Sequence, residues 1–219
     1  MRVPIAAILL LTCGTASAQS PDSTKTTGQW YVGAGAGYHF YYSINRPHVW
    51  VQPVYLMGGY TISPKVSVQA EVQYGRNIQT SYSQGEVDGK PYDFQYREET
   101  QGTAVTVLAR FNRSRPDRHL QFDWLLGLAL VNGVHKEASF RTSATTGEKT
   151  SYYYQPIREV TPHLVGGLSL RYLIGPHLAV GAEAMLSKNM KIFPYSVLGL
   201  APGLGATAGV SYRFGRAGQ

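Results

Sequence analysis

The sequence predicts an all-β fold, an eight-stranded antiparallel up-and-down transmembrane β-barrel. Three observations carry this prediction: hydrophobicity alternates with period two over eight segments, Asp, Glu, Lys and Arg are confined to one face of those segments, and the connections alternate between short and long. Composition agrees. The 219 residues include 24 Gly and 16 Tyr with only 15% charged residues, which suits strands, tight turns and aromatic interfaces better than a helical bundle. The formal charge of +7 permits an acidic partner, but the basic residues are scattered along the chain, and no nucleic-acid partner is expected for an exported protein.

Export is read from the first residues. Arg2, the apolar stretch 3–12 and the small residues Thr15, Ala16, Ser17 and Ala18 predict a cleaved signal peptide over 1–18, its apolar part too short to span a bilayer. A short N-terminal periplasmic segment over 19–28, the barrel over 29–214 and a short C-terminal tail over 215–219 complete the expected organisation. The single cysteine, Cys13, lies in the signal peptide, so the mature chain is expected to have no disulfide, thiol nucleophile or thiolate ligand. Lipidation at Cys13 competes with cleavage after Ala18, and cleavage is the better reading.

The first strand, 30–40, sets Trp30, Val32, Ala34, Ala36, Tyr38 and Phe40 against Tyr31, Gly33, Gly35, Gly37 and His39. The second, 49–61, has Val54, Leu56, Gly58 and Tyr60 on its apolar face, with Pro53 marking a bulge or irregular rim. After the turn at 63–65, the third opposes Val66, Val68, Ala70, Val72 and Tyr74 to Ser67, Gln69, Glu71, Gln73 and Gly75. The fourth, 102–112, opposes Val105, Val107, Ala109 and Phe111 to Ala104, Thr106, Leu108 and Arg110. A turn containing Pro116 leads to the fifth, where Leu120, Phe122, Trp124, Leu126, Leu128 and Leu130 share a face. The sixth carries Leu164, Gly166, Leu168, Leu170 and Tyr172, the seventh Leu178, Val180, Ala182, Ala184 and Leu186, and the eighth Leu204, Ala206, Ala208, Val210, Tyr212 and Phe214. Turns near 62–65, 113–118 and 174–176 are short. Polar loops are expected at 41–48, 76–101, 132–160 and 187–203, and their alternation with short turns is how transmembrane barrels are arranged.

Charge placement separates a membrane barrel from a soluble one. No apolar face carries an ionisable Asp, Glu, Lys or Arg, whereas the opposite faces carry Glu71, Arg110, Asp123, Arg171, Glu183 and Arg213. A soluble barrel inverts this arrangement. The six charges balance, and they are expected to pair in an internal network within a packed polar lumen, since unpaired burial is costly. Aromatics gather near the ends of the apolar faces. Trp30, Tyr60, Phe111, Phe122, Trp124, Tyr172, Tyr212 and Phe214 predict a periplasmic girdle, and Tyr38, Phe40 and Tyr74 an outer one.

Three stretches resemble the small OmpA/OmpX-type barrels and the outer-membrane β-barrel domain proteins common in Bacteroidetes: Gly33-Ala34-Gly35-Ala36-Gly37-Tyr38, Gln69-Ala70-Glu71-Val72-Gln73-Tyr74 and Gly209-Val210-Ser211-Tyr212-Arg213-Phe214. The resemblance covers about 28–214 and implies location in the cell outer membrane. It also implies an assembly signal at Phe214 read by the barrel-assembly machinery, although 215–219 follow it. No peptidoglycan-binding domain is expected after the barrel, so the anchoring role of larger family members is not implied.

No catalytic set is read. Six histidines are present; of these His39 and His163 are expected to face the lumen, but neither sits in a motif with Ser and a carboxylate, and the His-x-Ser pattern of lipid A deacylase barrels is absent from the sequence. The histidines show no metal-ligand spacing and no carboxylate cluster beside them, so no metal and no cofactor is assigned. The glycines at 33, 35 and 37 follow a strand period and lack the helix a dinucleotide site needs. The expected function is non-enzymatic: structural, or an interaction or adhesion role through the loops. A narrow channel for small solutes and a lipid-modifying enzyme are the alternatives. Expected partners are outer-membrane lipid and lipopolysaccharide, with Lys136, Arg141, Lys149 and Arg158 facing phosphates, and a protein partner at the extracellular loops, where Tyr82, Tyr92, Tyr96 and Tyr152–Tyr154 lie and an exposed strand edge would allow strand addition.

Overall fold

The computed structural model describes residues 28–41, 49–114, 118–192 and 202–214. The expected signal peptide, most of the N-terminal segment, Pro116 and the C-terminal tail lie outside these residues. The strands are β1 (Gln29–Tyr41), β2 (Val49–Val51), β3 (Pro53–Ser63), β4 (Val66–Val87), β5 (Lys90–Asn112), β6 (Leu120–Ser143), β7 (Lys149–Tyr153), β8 (Ile157–Ile174), β9 (Leu178–Asn189) and β10 (Gly203–Phe214), with one 3₁₀ turn at Met190–Ile192.

All pairings are antiparallel, in the order β1–β3–β4–β5–β6–β8–β9–β10 with β2 beside β1 and β7 beside β6, and β1 pairs with β10 from Trp30↔Phe214 to Phe40↔Leu204, which closes the sheet into a ring. Closure leaves no edge within the membrane, the condition a β-structure must meet in lipid. The pieces β2 and β3 form one barrel strand broken at Gln52, just before Pro53, where the missing N–H prevents a continuous ladder. The short β7 pairs with the outer part of β6 and precedes β8 along the same side.

Alternation sets which side of the wall each residue faces. Leu56, Leu126, Leu128, Val107 and Leu170 point outward and are about half to two-thirds exposed, whereas Leu108, Gln69 and Asp123 point inward and are fully buried. An aqueous exterior would not tolerate so continuous an apolar belt; a bilayer requires it.

The expected polar loops at 76–101 and 132–160 are largely strand. β4 has 22 residues, about 70 Å of extended chain, while about 9–11 residues cross a bilayer. Beyond Tyr74 the chain stays extended and loses its apolar outward face, so the period-two signal fades although the pairing continues from Arg76↔Gln101 to Val87↔Lys90. The hairpin closes at Asp88 and Gly89, with φ of 54° and 71°. Two consecutive positive φ values are what a two-residue type I′ turn needs, and Asp-Gly supplies them at low cost.

Candidate functional site

The lumen is filled in two layers. In the layer nearer the short turns, Arg110 from β5 is the hub: its Nε donates to Gln69 Oε1 at 2.7 Å, its Nη1 donates to Asp123 Oδ2 and Ser169 Oγ at 3.1 Å each, and its Nη2 pairs with Glu183. Arg171 grips Asp123 with two hydrogen bonds of 2.6 and 2.9 Å. Tyr31 donates to Gln69 at 3.1 Å, so contacts from β1, β4, β5, β6, β8 and β9 meet in one network.

Two of the six expected charges stand outside the chain of ion pairs. Glu71 is held by the amides of Gln69 and Gln73 on its own strand, because the register sets it opposite Thr106 rather than a cation. Arg213 makes no ion pair among the described residues; its direct partner on β1 is Tyr31.

The outer layer departs from the expected polar core. Val51, Ala104, Leu108, Leu125, Ala129, Val131, Val165 and Met185 form a buried apolar cluster inside the ring. The lumen cavities lined by Tyr31, Arg110 and Glu183, and by His39, Gln73 and Met185, are each about 10 Å³, room for about one water molecule.

At the end with the short turns, the eight expected girdle aromatics lie on the outward face. Trp30 packs on Tyr60 at 4.8 Å, Phe122 on Trp124 at 6.2 Å, and Tyr212 on Phe214 at 5.1 Å, next to the β1–β10 seam. His119 and His177, in the adjoining turns, stack on Tyr172 and Tyr212.

At the other end, β4, β5, β6 and β7 continue as a sheet beyond the rim marked by Tyr38 and Tyr74. Its inner face, continuous with the lumen, bears Tyr92, Phe94, Tyr96, Arg141 and Tyr152, with Arg141 lying over the Tyr92 ring at 4.8 Å. Its outer face bears Tyr82, Phe140 and Tyr153, with Lys149 5.3 Å above the Phe140 ring. Just above the rim on the outer face, Arg76 and Lys136 flank Glu99 at 3.1 and 3.7 Å, and the hydrogen bond from Arg76 holds the Glu99 carboxyl below its ordinary range. Among the described residues, no strand pairs with the far edge of β4 over 76–87.

No family model matches the chain, and no curated protein matches it in sequence. The N-terminal β-barrel domain of Pseudomonas aeruginosa OprF is similar with a TM-score of 0.52 at 14% identity, covering 86% of this chain and 100% of that one. The chain has the fold of an eight-stranded outer-membrane β-barrel. Two further solved structures are similar: Ail of Yersinia pestis in complex with the heparin analogue sucrose octasulfate, at a TM-score of 0.48 and 16% identity over 85% of this chain and 99% of that one, and Neisserial surface protein A at 0.43 and 12% over 86% and 99%. The apolar belt between two aromatic ends and the fold place the barrel in the outer membrane.

Sequence reasoning divided the faces of this barrel correctly but could not see across its ring. Leu108, Val165 and Met185 sat on the faces expected to be polar, and only the closed register shows them meeting. The Asp88-Gly89 signal inside a presumed loop was available and marks the hairpin tip. The expectation that no carboxylate stands beside a histidine is corrected at His135, which has Glu137 on its own face of β6 and lies near Glu98 of β5.

Proposed function

We propose that the barrel is a non-enzymatic membrane anchor and that its work is protein binding or adhesion by the projecting sheet. The observation that carries this reading is the edge of β4 over 76–87, which no strand among the described residues covers. Natural edge strands are blunted by Pro, by charge or by being short, yet 77–85 contains no Pro and no charged residue. Main-chain N–H and C=O groups along this edge point toward an added strand, while Tyr82, about three-quarters exposed, supplies apolar contact on the outer face of β4.

The test uses cells displaying the full chain and cells displaying a variant with 79–98 removed and the Asp-Gly turn rebuilt at the shortened tip. Both should reach the outer membrane as folded barrels. Cells with the intact chain are expected to adhere to protein-coated surfaces or to one another above empty-vector cells, and the shortened hairpin should abolish the difference. Equal adherence of the two strains, or none by either, rejects the reading.

A second contact rests on the basic band above the rim. Arg76, Lys136 and Arg158 face outward within neighbouring rows, where outer-leaflet phosphates lie, and Arg97 follows one row above. Arg141 leaves the set expected for lipopolysaccharide because it faces the inner side over Tyr92, and Lys149 lies at the distal end of the sheet. Converting Arg76, Lys136 and Arg158 to Gln should weaken binding of purified lipopolysaccharide to the folded barrel and leave phospholipid insertion unchanged.

A further inference from the structure

We propose that Glu98, His135 and Glu137 bind one first-row transition-metal dication, of which zinc is the natural probe, and that the ion clamps β5 to β6 where the projecting sheet leaves the bilayer. Their donor atoms all lie within 4.8 Å of one another. The i, i+2 spacing puts His135 and Glu137 on the inner face of β6, continuous with Ala129 and Val131, and Glu98 stands directly opposite Glu137 in the β5–β6 register. The three side chains are half-buried.

Three features make this more than a crowding of acids. The first is an imidazole in the donor set: His135 Nε2 approaches Glu137 Oε1 at 2.9 Å, so a nitrogen and a carboxylate oxygen already converge on one point. The second is orientation. Thr100, opposite His135 in the register, contacts Nδ1 through its Oγ1 at 3.1 Å. Without an ion a proton lies between Nε2 and Glu137 Oε1; an ion takes its place, and Nδ1–H donating to Thr100 Oγ1 then leaves the Nε2 lone pair for the metal, which is how a hydrogen bond behind a ligating histidine fixes its tautomer. The third is electrostatic. Like charges directly across an antiparallel pair destabilise it, and a dication between Glu98 and Glu137 reverses that term.

The donor set also selects the ion. One imidazole and two carboxylates suit zinc, copper or nickel, whereas calcium and magnesium take oxygen ligands in larger number. Three protein ligands leave a position for water or for a donor from a bound partner. The site lies at the root of the hairpin, where bilayer support ends, so occupancy should stiffen both strands above it.

The test is zinc titration by calorimetry of the full chain, untagged and folded in detergent, with heat-shifted gel migration confirming that each variant is folded. One zinc per chain is expected, undisplaced by excess calcium or magnesium. His135→Gln and Glu137→Gln should remove it, and Thr100→Val should weaken it by about 10- to 100-fold. Zinc should also slow amide exchange over 90–101 and 134–143 in the unaltered chain and not in His135→Gln. Failure of the folded chain to take up zinc overturns the proposal. Uptake unchanged in folded His135→Gln does so as well, by assigning the ion to His119, His177 or another surface histidine.

Discussion

At the scale of single residues the barrel is specified by what fits inside it. Arg110 is fully buried with acceptors from four other strands on its guanidinium, so Arg110→Ala leaves Glu183 buried without its cation while Asp123 keeps Arg171. Breaking one side of such a pair should cost about 3–5 kcal/mol. Urea unfolding in detergent measures it, and the double variant Arg110→Met with Glu183→Gln should recover most of the loss because no charge is then stranded. Gly59 makes a complementary case: a Cβ there would overlap the ring of Tyr31, which is itself tied to Gln69. Gly59→Val should destabilise by about 1–3 kcal/mol in the same assay through overpacking. Residue parity alone placed Arg110, Asp123 and Glu183 on inward faces. It did not choose their partners, because Arg110 reaches Glu183 on β9 across the lumen and that neighbour exists only once the ring is closed.

At the scale of elements, two environments act on the same strand. Within the bilayer, β6 presents Leu126, Leu128 and Leu130 to lipid, each a little over half exposed. Leu128→Arg should cost about 2–4 kcal/mol at the midplane, read as a lowered urea midpoint in lipid vesicles. Above the rim, β6 presents polar and aromatic residues on both faces and is held by β5 and β7 instead. This explains what was legible. The eight membrane segments showed themselves through lipid, which enforces strict alternation, whereas the outer halves of β4, β5 and β6 answer to water on both faces and left only the Asp88-Gly89 turn as a signal. The far edge of β4 is likewise a property of pairing and carries no residue pattern of its own beyond the absence of Pro and charge over 77–85.

At the scale of the whole molecule, the ring, its filling and its projection assign separate tasks. The polar network and the apolar cluster of Leu108, Leu125, Val165 and Met185 close the lumen, so planar-bilayer recordings are expected to show no stepwise conductance. Sustained single-channel openings would show that the lumen rearranges. With the interior occupied and the wall committed to lipid, the sheet beyond the membrane is, among the described residues, the part free to meet other molecules. The central claim beneath all of this is that the chain closes into a stable transmembrane barrel. Gel migration of the protein from the outer-membrane fraction, boiled against unboiled in detergent, tests it most directly. A band that shifts on boiling is the predicted result, since a closed barrel resists detergent until heated; a soluble protein whose migration is unchanged by boiling would contradict the account.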